Sequence, residues 1–485
     1  MSTAVDRPSA NALTPTVRVR SGLRFTRAER RGMLWLGDMA VCALAGVLAL
    51  WLWTFTRNKS LWVILSEDGH LMLMMSLVWL FLAWALELYA LPTAASMRAV
   101  LPRLLGVAGV AMLGYLVIFF LVAPRNQLIR LPLVYFLILV TLLASFWRWA
   151  MTMLLARGVL RQRALVVGAG WAGRTIVRLL REQTNPEFEV LGFIDDDEAK
   201  QGGSVDELPV LGRGCDLLPT AQRVGADTVI YAITHQLSGT MFQALLDCQA
   251  AGLAVVRMPT LYEALTGRVP VEHVRSDWLL PDAIEGGQTS LFYRLMVRMM
   301  DLTFALSAGV ILVVLGPLIA LLIKLDSPGP VFYRQVRSGR GGLPFELIKF
   351  RSMRADAEAT GGAQWATEDD PRITRVGRWL RRMRLDELPQ VWNILRGDIH
   401  LIGPRPERPE FIARLEKEIP FYRARLAIKP GLTGWAQVKY RYGSTVEDAR
   451  VKLEYDLYYI KNRSLALDLQ ILLQTIGVML TLKGT

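Results

Sequence analysis

Four long apolar stretches dominate the first third of the chain, at about Met33–Phe55, Leu71–Tyr89, Leu101–Ala123 and Leu131–Leu155. About 20 apolar residues in an α-helix cross a bilayer core of ~30 Å, so each stretch predicts a spanning helix. Past Arg163 the pattern changes. A buried strand runs into Gly168-Ala169-Gly170 and an amphipathic helix carrying Ile176, Val177, Leu179 and Leu180. Apolar strand segments (Val190–Ile194, Leu211, Thr228–Ile233, Ala254–Met258) then alternate with helical ones such as Met241–Ala251. That alternation predicts a doubly wound parallel sheet. From Leu302 to Ile323 no charge appears, and Gly316-Pro317 stand at the centre. Proline removes a helix hydrogen bond and clashes with the preceding turn, which predicts a break there. Two readings stay open at this stage: a fifth spanning helix with a kink, or a re-entrant helix that dips in and returns. Beyond it come a strand over Phe345–Phe350, a helix over Ile373–Met383, and a helix from about Glu387 to Gly397. Leu465–Leu482, with Asp468 and Gln470 among apolar residues, reads as an interfacial helix.

Composition agrees with a membrane protein. Of the 485 residues 52% are hydrophobic and 20% charged, against about 45–50% and 25% in soluble domains. The chain is therefore neither disordered nor a disulfide scaffold; Cys42, Cys215 and Cys248 lie far apart and suit a reducing compartment. Orientation follows the lysines and arginines. The N-terminal arm (Arg7, Arg18, Arg20, Arg24, Arg27, Arg30, Arg31), the second loop (Arg98, Arg103) and the exit (Arg157, Arg161, Arg163) read as cytoplasmic. Arg57, Lys59, Arg125 and Arg130 flank the sparser outer loops. Asp38, Glu87 and Arg148 fall inside the apolar stretches, toward their cytoplasmic ends. Either they snorkel to the interface, or Arg148 neutralises one or both acids and holds the helices in register.

Gly168, Gly170 and Gly173 match G-x-G-x-x-G between a strand and a helix, and Asp195 lies 22 residues past Gly173. That is where a ribose-binding acid would sit. A working dinucleotide site is one reading; a packing turn with solvated acids is the other. None of the 13 tyrosines has lysine four places on, so the short-chain oxidoreductase pattern is missing and NAD is not expected. The net charge of +13 suits a membrane surface, nucleic acid or phosphorylated substrates. Its concentration at membrane flanks and in the C-terminal basic motifs argues against nucleic acid.

The candidate chemistry lies in that C-terminal tract. Lys349-Phe350-Arg351-Ser352-Met353 closes a strand, and Arg384-Leu385-Asp386-Glu387-Leu388-Pro389-Gln390 opens a helix. Pro389 is tolerated only in a first turn, which puts Asp386 at a helix N-terminus, either as a cap or as an ionised ligand or nucleophile beside arginines. Gly403-Pro404-Arg405-Pro406-Glu407 fixes another arginine. Lys429-Pro430-Gly431-Leu432-Thr433-Gly434-Trp435 forms a second ordered loop whose glycines allow close backbone approach.

These segments, in this order, resemble the signatures of the bacterial sugar transferases, the polyisoprenyl-phosphate hexose-1-phosphate transferases, over residues 290–485. The four-helix front and nucleotide-fold middle resemble the long form of that family, and the tail from Tyr440 its galactose-type members. The fold so implied is a membrane protein of α plus α/β class. Its parts are a basic arm (1–32), four transmembrane helices (33–156), a Rossmann-like parallel-sheet domain (157–290), and a mainly helical catalytic domain (291–485) with a re-entrant helix near 301–324.

The resemblance further implies Asp386 as nucleophile with Glu387 as partner carboxylate. Arg381, Arg382 and Arg405, with Lys349 and Arg351 of the basic tract, become phosphate-binding groups. Magnesium, or manganese in its place, would be held by Asp386 and Glu387. The expected partners are a UDP-hexose of galactose or glucose type, undecaprenyl phosphate, the bilayer and a second copy of the chain. The expected place is the bacterial inner membrane, catalytic domain in the cytoplasm. Two departures from the family stand out: Gly316-Pro317 replaces the common Ser-Pro at the helix break, and His400 stands where serine is common. A sugar-nucleotide dehydratase and a non-enzymatic export scaffold are the competing classes.

Overall fold

The computed structural model describes residues 27–122, 131–156, 161–182, 188–234, 238–273, 290–357, 370–440, 443 and 445–480. The expected basic arm before residue 27, and Arg125, Arg130 and Arg157, lie outside the described residues. The chain divides into two compact units. One joins the stretch ending at Leu34 to Ala150–Met258, and the other joins Trp35–Trp149 to Pro259–Thr485.

Helices α1 (Arg27–Arg57), α2 (Leu61–Ala85), α3 (Leu91–Ala94), α4 (Met97–Val122) and α5 (Leu131–Ala156) open the chain. All but the short α3 are long and apolar enough to cross a membrane. The second apolar element begins at Leu61 rather than Leu71, so Glu67, Asp68 and His70 lie inside it, and Lys59 pairs with Glu67 at 2.8 Å. It also ends earlier. Glu87 lies beyond α2 in the left-handed region (φ 61°), where Leu88 N–H donates back to the Ala83 carbonyl.

Asp38 and Arg148 do not snorkel. Both are completely buried and paired at 2.6 Å, and the same guanidinium donates to the Leu88 carbonyl at 2.7 Å. A charge in an apolar bundle is tolerable only when paired and hydrogen-bonded, and this pair ties α1 to α5 and both to the end of α2. Gly37 permits the approach: a Cβ there would stand 2.1 Å from the Trp147 ring. Glu87 takes no part in that pair. It reaches the C-terminal region instead, accepting from Lys439 Nζ and from Gln470 at 3.0 Å.

The middle region carries β1 (Gln162–Val167), α6 (Trp171–Arg181), β2 (Phe188–Ile194), β3 (Ser204–Val205) and β4 (Leu208–Gly212). It continues through α7 (Leu217–Val224), β5 (Thr228–Tyr231), α8 (Gly239–Ala250), β6 (Ala254–Arg257) and α9 (Met258–Thr266). The sheet order is β3-β4-β2-β1-β5-β6, parallel except for β3–β4. Strands buried on both faces need continuous apolar runs, and Leu165, Val167, Ile194 and Val229 supply them to a core closed by Leu217, Ala221, Met241, Leu245 and Cys248. Residues past Met258 pack elsewhere: Val269 and Val271 join the core of the C-terminal region.

That region begins with α10 (Leu291–Asp326). It is a single helical element with Gly316 and Pro317 inside it. The hairpin β7 (Phe332–Ser338) and β8 (Pro344–Phe350) follows. Next come α11 (Arg375–Arg382), a 3₁₀ turn (Leu385–Gln390), α12 (Val391–Arg396), β9 (His400–Ile402), α13 (Pro409–Glu418) and a second 3₁₀ turn (Tyr422–Ala427). The chain ends in β10 (Gly431–Thr433), α14 (Trp435–Lys439), α15 (Val446–Lys461) and α16 (Leu465–Leu480).

One face of α10 lies along this region on both sides of Pro317. Ala305 and Ala308 pack on Leu347, Val391 and Ile394, while Ile319 and Ile323 pack on Phe350 and Leu380. The opposite face exposes Leu306, Val310, Val313, Val314, Leu318 and Leu321. The polar residues of α16 point inward rather than to an interface: Asp468 is buried and accepts from the Tyr293 and Tyr459 hydroxyls, both at 2.8 Å.

Candidate active site

The site assembles where β8, α11, the first 3₁₀ turn and the loop after β9 converge. Asp386 and Glu387 lie in that turn just after Arg384, a non-glycine residue held in the left-handed region (φ 55°). Such strain persists only where surrounding structure imposes it, and it clusters at functional sites. The turn leads into α12, which Gly397 closes at φ 81°. Neither acid caps a helix through its side chain. Asn393, fully buried, donates to the Glu346 carbonyl at 2.7 Å and accepts from Ile348 N–H at 3.2 Å. It thereby fixes the stretch of β8 that presents Lys349.

Both acids are buried, but their environments differ. Glu387 Oε1 accepts from Lys349 Nζ at 3.1 Å and from Arg405 at 2.7 Å, and Arg384 stands 3.7 Å from Oε2. Burial alone would raise its pKa; Arg405, Lys349 and Arg384 outweigh that and hold it well below the usual carboxylate range. Asp386 makes no hydrogen bond or ion pair among the described residues. Burial pushes its pKa up, the negative Glu387 pushes it further, and Lys349, Arg381 and Arg405 only partly oppose this. The pair therefore consists of one immobilised carboxylate and one with its oxygens unengaged.

The sequence-predicted residues sort unevenly around this pair. Lys349 and Arg405 touch Glu387, and Arg381 acts on Asp386 through its charge. Arg382 faces outward on α11 and is exposed. Arg351 is a correction: its guanidinium is buried against the end of α10, donating to the carbonyls of Pro328 at 2.8 Å and Ser327 at 2.7 Å. Those are acceptors past a helix C-terminus, and they engage both terminal nitrogens of Arg351. The glycines of the two ordered loops also serve a different approach. A Cβ on Gly431 would stand 2.1 Å from Gly403 N, and one on Gly434 would stand 2.2 Å from Gly403 O. The loops pack on each other, so that β9 and β10 pair in parallel.

Sequence reasoning missed Arg384, Asn393 and the buried Asp301, which accepts from Leu401 N–H at 2.8 Å and pairs with His400 Nδ1 at 2.6 Å. His400 is thus a link between α10 and β9. The signal for Asp301 was a lone acid one residue before an uncharged run.

A metal fits this site only in part. Glu387 is already surrounded by cations, and among the described residues no group of three His, Cys, Asp or Glu side chains forms. Asp386 alone offers free oxygens, which suits magnesium, an ion bound by one or two carboxylates plus substrate phosphates and water.

In the middle region the glycine turn is tight for internal reasons. A Cβ on Gly173 would lie 1.9 Å from the Gly168 carbonyl oxygen. Asp195 Oδ2 accepts from Ala169 N–H at 2.7 Å, and Lys200 pairs with Asp195 at 3.1 Å. One turn amide that would meet a ligand is therefore already occupied.

A buried acid pair ringed by Lys349, Arg381, Arg384 and Arg405, and mounted beside a long apolar helix, defines an anion-handling site in a membrane protein. Residues 292–482 match the family described as bacterial sugar transferase, and residues 84–259 match one described as CoA-binding domain. A UDP-N-acetylgalactosamine-undecaprenyl-phosphate N-acetylgalactosaminephosphotransferase of Aeromonas hydrophila is 43% identical over 251 residues, covering 50% of this chain and 56% of that protein. An undecaprenyl-phosphate glucose phosphotransferase of Komagataeibacter xylinus is 32% identical over 330 residues, covering 65% and 59%. A UDP-glucose:undecaprenyl-phosphate glucose-1-phosphate transferase of Escherichia coli (strain K12) is 32% identical over 325 residues, covering 66% and 68%. The chain thus spans somewhat over half the length of the first two relatives. It belongs to the bacterial sugar transferase family.

Proposed function

We propose that the protein transfers hexose-1-phosphate from a UDP-hexose to undecaprenyl phosphate, the first step of building an exopolysaccharide, capsule or O-antigen. The observation that carries this reading is the unengaged Asp386 carboxylate beside a Glu387 fixed by three cations. Relatives named for glucose and for N-acetylgalactosamine favour a UDP-hexose donor of glucose or galactose type.

The donor diphosphate and the lipid phosphate are both anionic, so direct attack is disfavoured and a two-step transfer helps. Asp386 attacks the phosphorus that bears the sugar; a P–O bond to the carboxylate forms as the bond to UMP breaks. An oxygen of the lipid phosphate then attacks that phosphorus and Asp386 leaves as a free carboxylate, giving the lipid diphosphate hexose. Arg405, Lys349 and Arg381 stabilise charge on the phosphoryl oxygens, while Glu387 holds Arg405 and Lys349 in place. Magnesium bound at Asp386 would supply further charge neutralisation.

On this reading the catalytic region works at the cytoplasmic face of the bacterial inner membrane. In support of a re-entrant α10, residues before Pro317 (Arg298, Asp301) and after it (Ile323, Asp326) all bond or pack to the same region. Arg298 donates to the Ile394 and Leu395 carbonyls, and Asp326 accepts from Val376 N–H at 2.9 Å.

The test is UMP release from UDP-hexoses with undecaprenyl phosphate. Asp386→Asn is expected to lose nearly all turnover, and quenched wild type digested for mass spectrometry should carry a hexosyl phosphate on Asp386. Turnover near wild type in the variant would refute the assignment.

A further inference from the structure

Arg405 is delivered by an irregular loop far along the chain from the acid pair, so something must hold that loop still. Prolines on both sides restrict its backbone, and each carbonyl from Pro404 to Glu407 has a donor of its own. Gly431 N–H meets Pro404 O at 2.9 Å, Arg425 meets Arg405 O at 3.0 Å, Arg337 meets Pro406 O at 2.9 Å, and Ser338 N–H meets Glu407 O at 2.9 Å. The donor on Arg405 itself stands out. Arg425 is buried, its Nη1 donates to the Tyr422 hydroxyl at 2.7 Å, and its Nη2 divides between Arg405 O and the buried Asp456 at 2.8 Å.

We infer that Arg425, locked by Tyr422 and Asp456, is a positioning residue for the transfer: it fixes the Arg405 peptide so that the Arg405 guanidinium lands on Glu387. The inference rests on the transferase reading above. The device reaches from α15, which carries Asp456, through the second 3₁₀ turn to the acid pair, and it touches neither acid directly. A planar guanidinium suits it, because its fork holds the hydroxyl, the carboxylate and the carbonyl in fixed relative directions. A lysine ammonium keeps the charge and loses that geometry.

A buried arginine–aspartate pair could equally be plain core support, and a double-mutant cycle separates the two roles. Arg425→Lys is compared with the parent in two backgrounds, native Arg405 and Arg405→Ala. The full-length protein is held in lipid nanodiscs and followed by single-turnover release of radiolabelled UMP, which registers slow variants. With Arg405 present, a misplacement of this kind should lower the rate roughly 10- to 100-fold. Without the Arg405 side chain there is nothing left to position, and Arg425→Lys should change the residual rate by less than about 2-fold. Tyr422→Phe removes one partner of Arg425 without leaving a buried charge unpaired. It serves should Arg425→Lys not fold, with the same pattern at smaller size, roughly 3- to 10-fold against none. Equal losses in both backgrounds would overturn the inference and leave Arg425 as core support. Absence of UMP release from the unmodified protein with every UDP-hexose is a separate result, which removes the transferase reading and the inference with it.

Discussion

Asp386 and Glu387 are chain neighbours with the same functional group, and their surroundings push them in opposite directions. Three cations hold Glu387 ionised, while burial and the adjacent negative charge raise Asp386. A nucleophilic Asp386 must be ionised, so the rate is lost as pH falls through its pKa. Because that pKa is raised, the acid limb of the wild-type profile should lie above the ordinary aspartate value of about 3.9. Glu387→Gln removes a charge that raises Asp386, while the positive charges of Lys349, Arg381 and Arg405 remain and are no longer offset by it. The limb should therefore move to lower pH, even as the rate drops; a pH profile of UMP release reads this, and an unmoved or rising limb would contradict the pairing. At this scale the sequence marked both acids and most of the cations. It could not separate Lys349, which reaches Glu387, from Arg351 two positions on, which closes the end of α10, because both sit in one basic motif.

Among elements, α11 and the hairpin set the spacing of the site. Gly377 is the close point, since a Cβ there would stand 2.0 Å from the Ser352 carbonyl oxygen. Backbone cannot yield as a flexible side chain can, so Gly377→Ala should cost about 1–3 kcal/mol and carry Arg381 away from Asp386. Thermal unfolding of the purified protein checks the first part and UMP release the second. Gly109→Ala is the control, because nothing lies within 4 Å of its added Cβ. The element pattern itself was largely legible. Helix and strand periods placed β1, α6, β5, α8 and the 375–382 helix within a few residues. Only part of the apolar side of that helix is covered: Leu380 is buried, but Trp379 and Met383 are exposed beside Arg375, Arg378 and Arg382. Periodicity finds a face without saying how wide the covered part is.

For the molecule as a whole, two of the long-range ion pairs among the described residues help to fasten the unit that joins the bundle to the C-terminal region. Asp38–Arg148 closes the bundle, and Glu87 joins the end of α2 to Lys439 and Gln470. Arg148→Leu would leave Asp38 buried without a partner and the Leu88 carbonyl without its donor, a cost of about 3–5 kcal/mol. The double variant Asp38→Leu/Arg148→Leu should recover most of that loss, since removing both charges abolishes the uncompensated one. Unfolding temperatures of the two variants in one detergent decide it, and an unchanged Arg148→Leu protein would end the role given to this pair. The strained backbone at Glu87 points the same way, for a left-handed glutamate is kept only where its contacts require it.

What the sequence determined by itself was whatever depends on neighbours along the chain. That covers the apolar lengths that suit a bilayer, the alternation that builds a parallel sheet, and the ordered motifs that carry Asp386, Glu387 and Arg405. Tertiary structure decided everything that depends on residues far apart in number. It chose Asp38 rather than Glu87 as the partner of Arg148, sent Glu87 to Lys439, turned Arg351 to a helix end, and tied Arg405 to Arg425 and Asp456. The physical reason is that a period or a motif constrains which side chains share a face. A charge taken out of water is constrained only by which opposite charge the fold brings within reach.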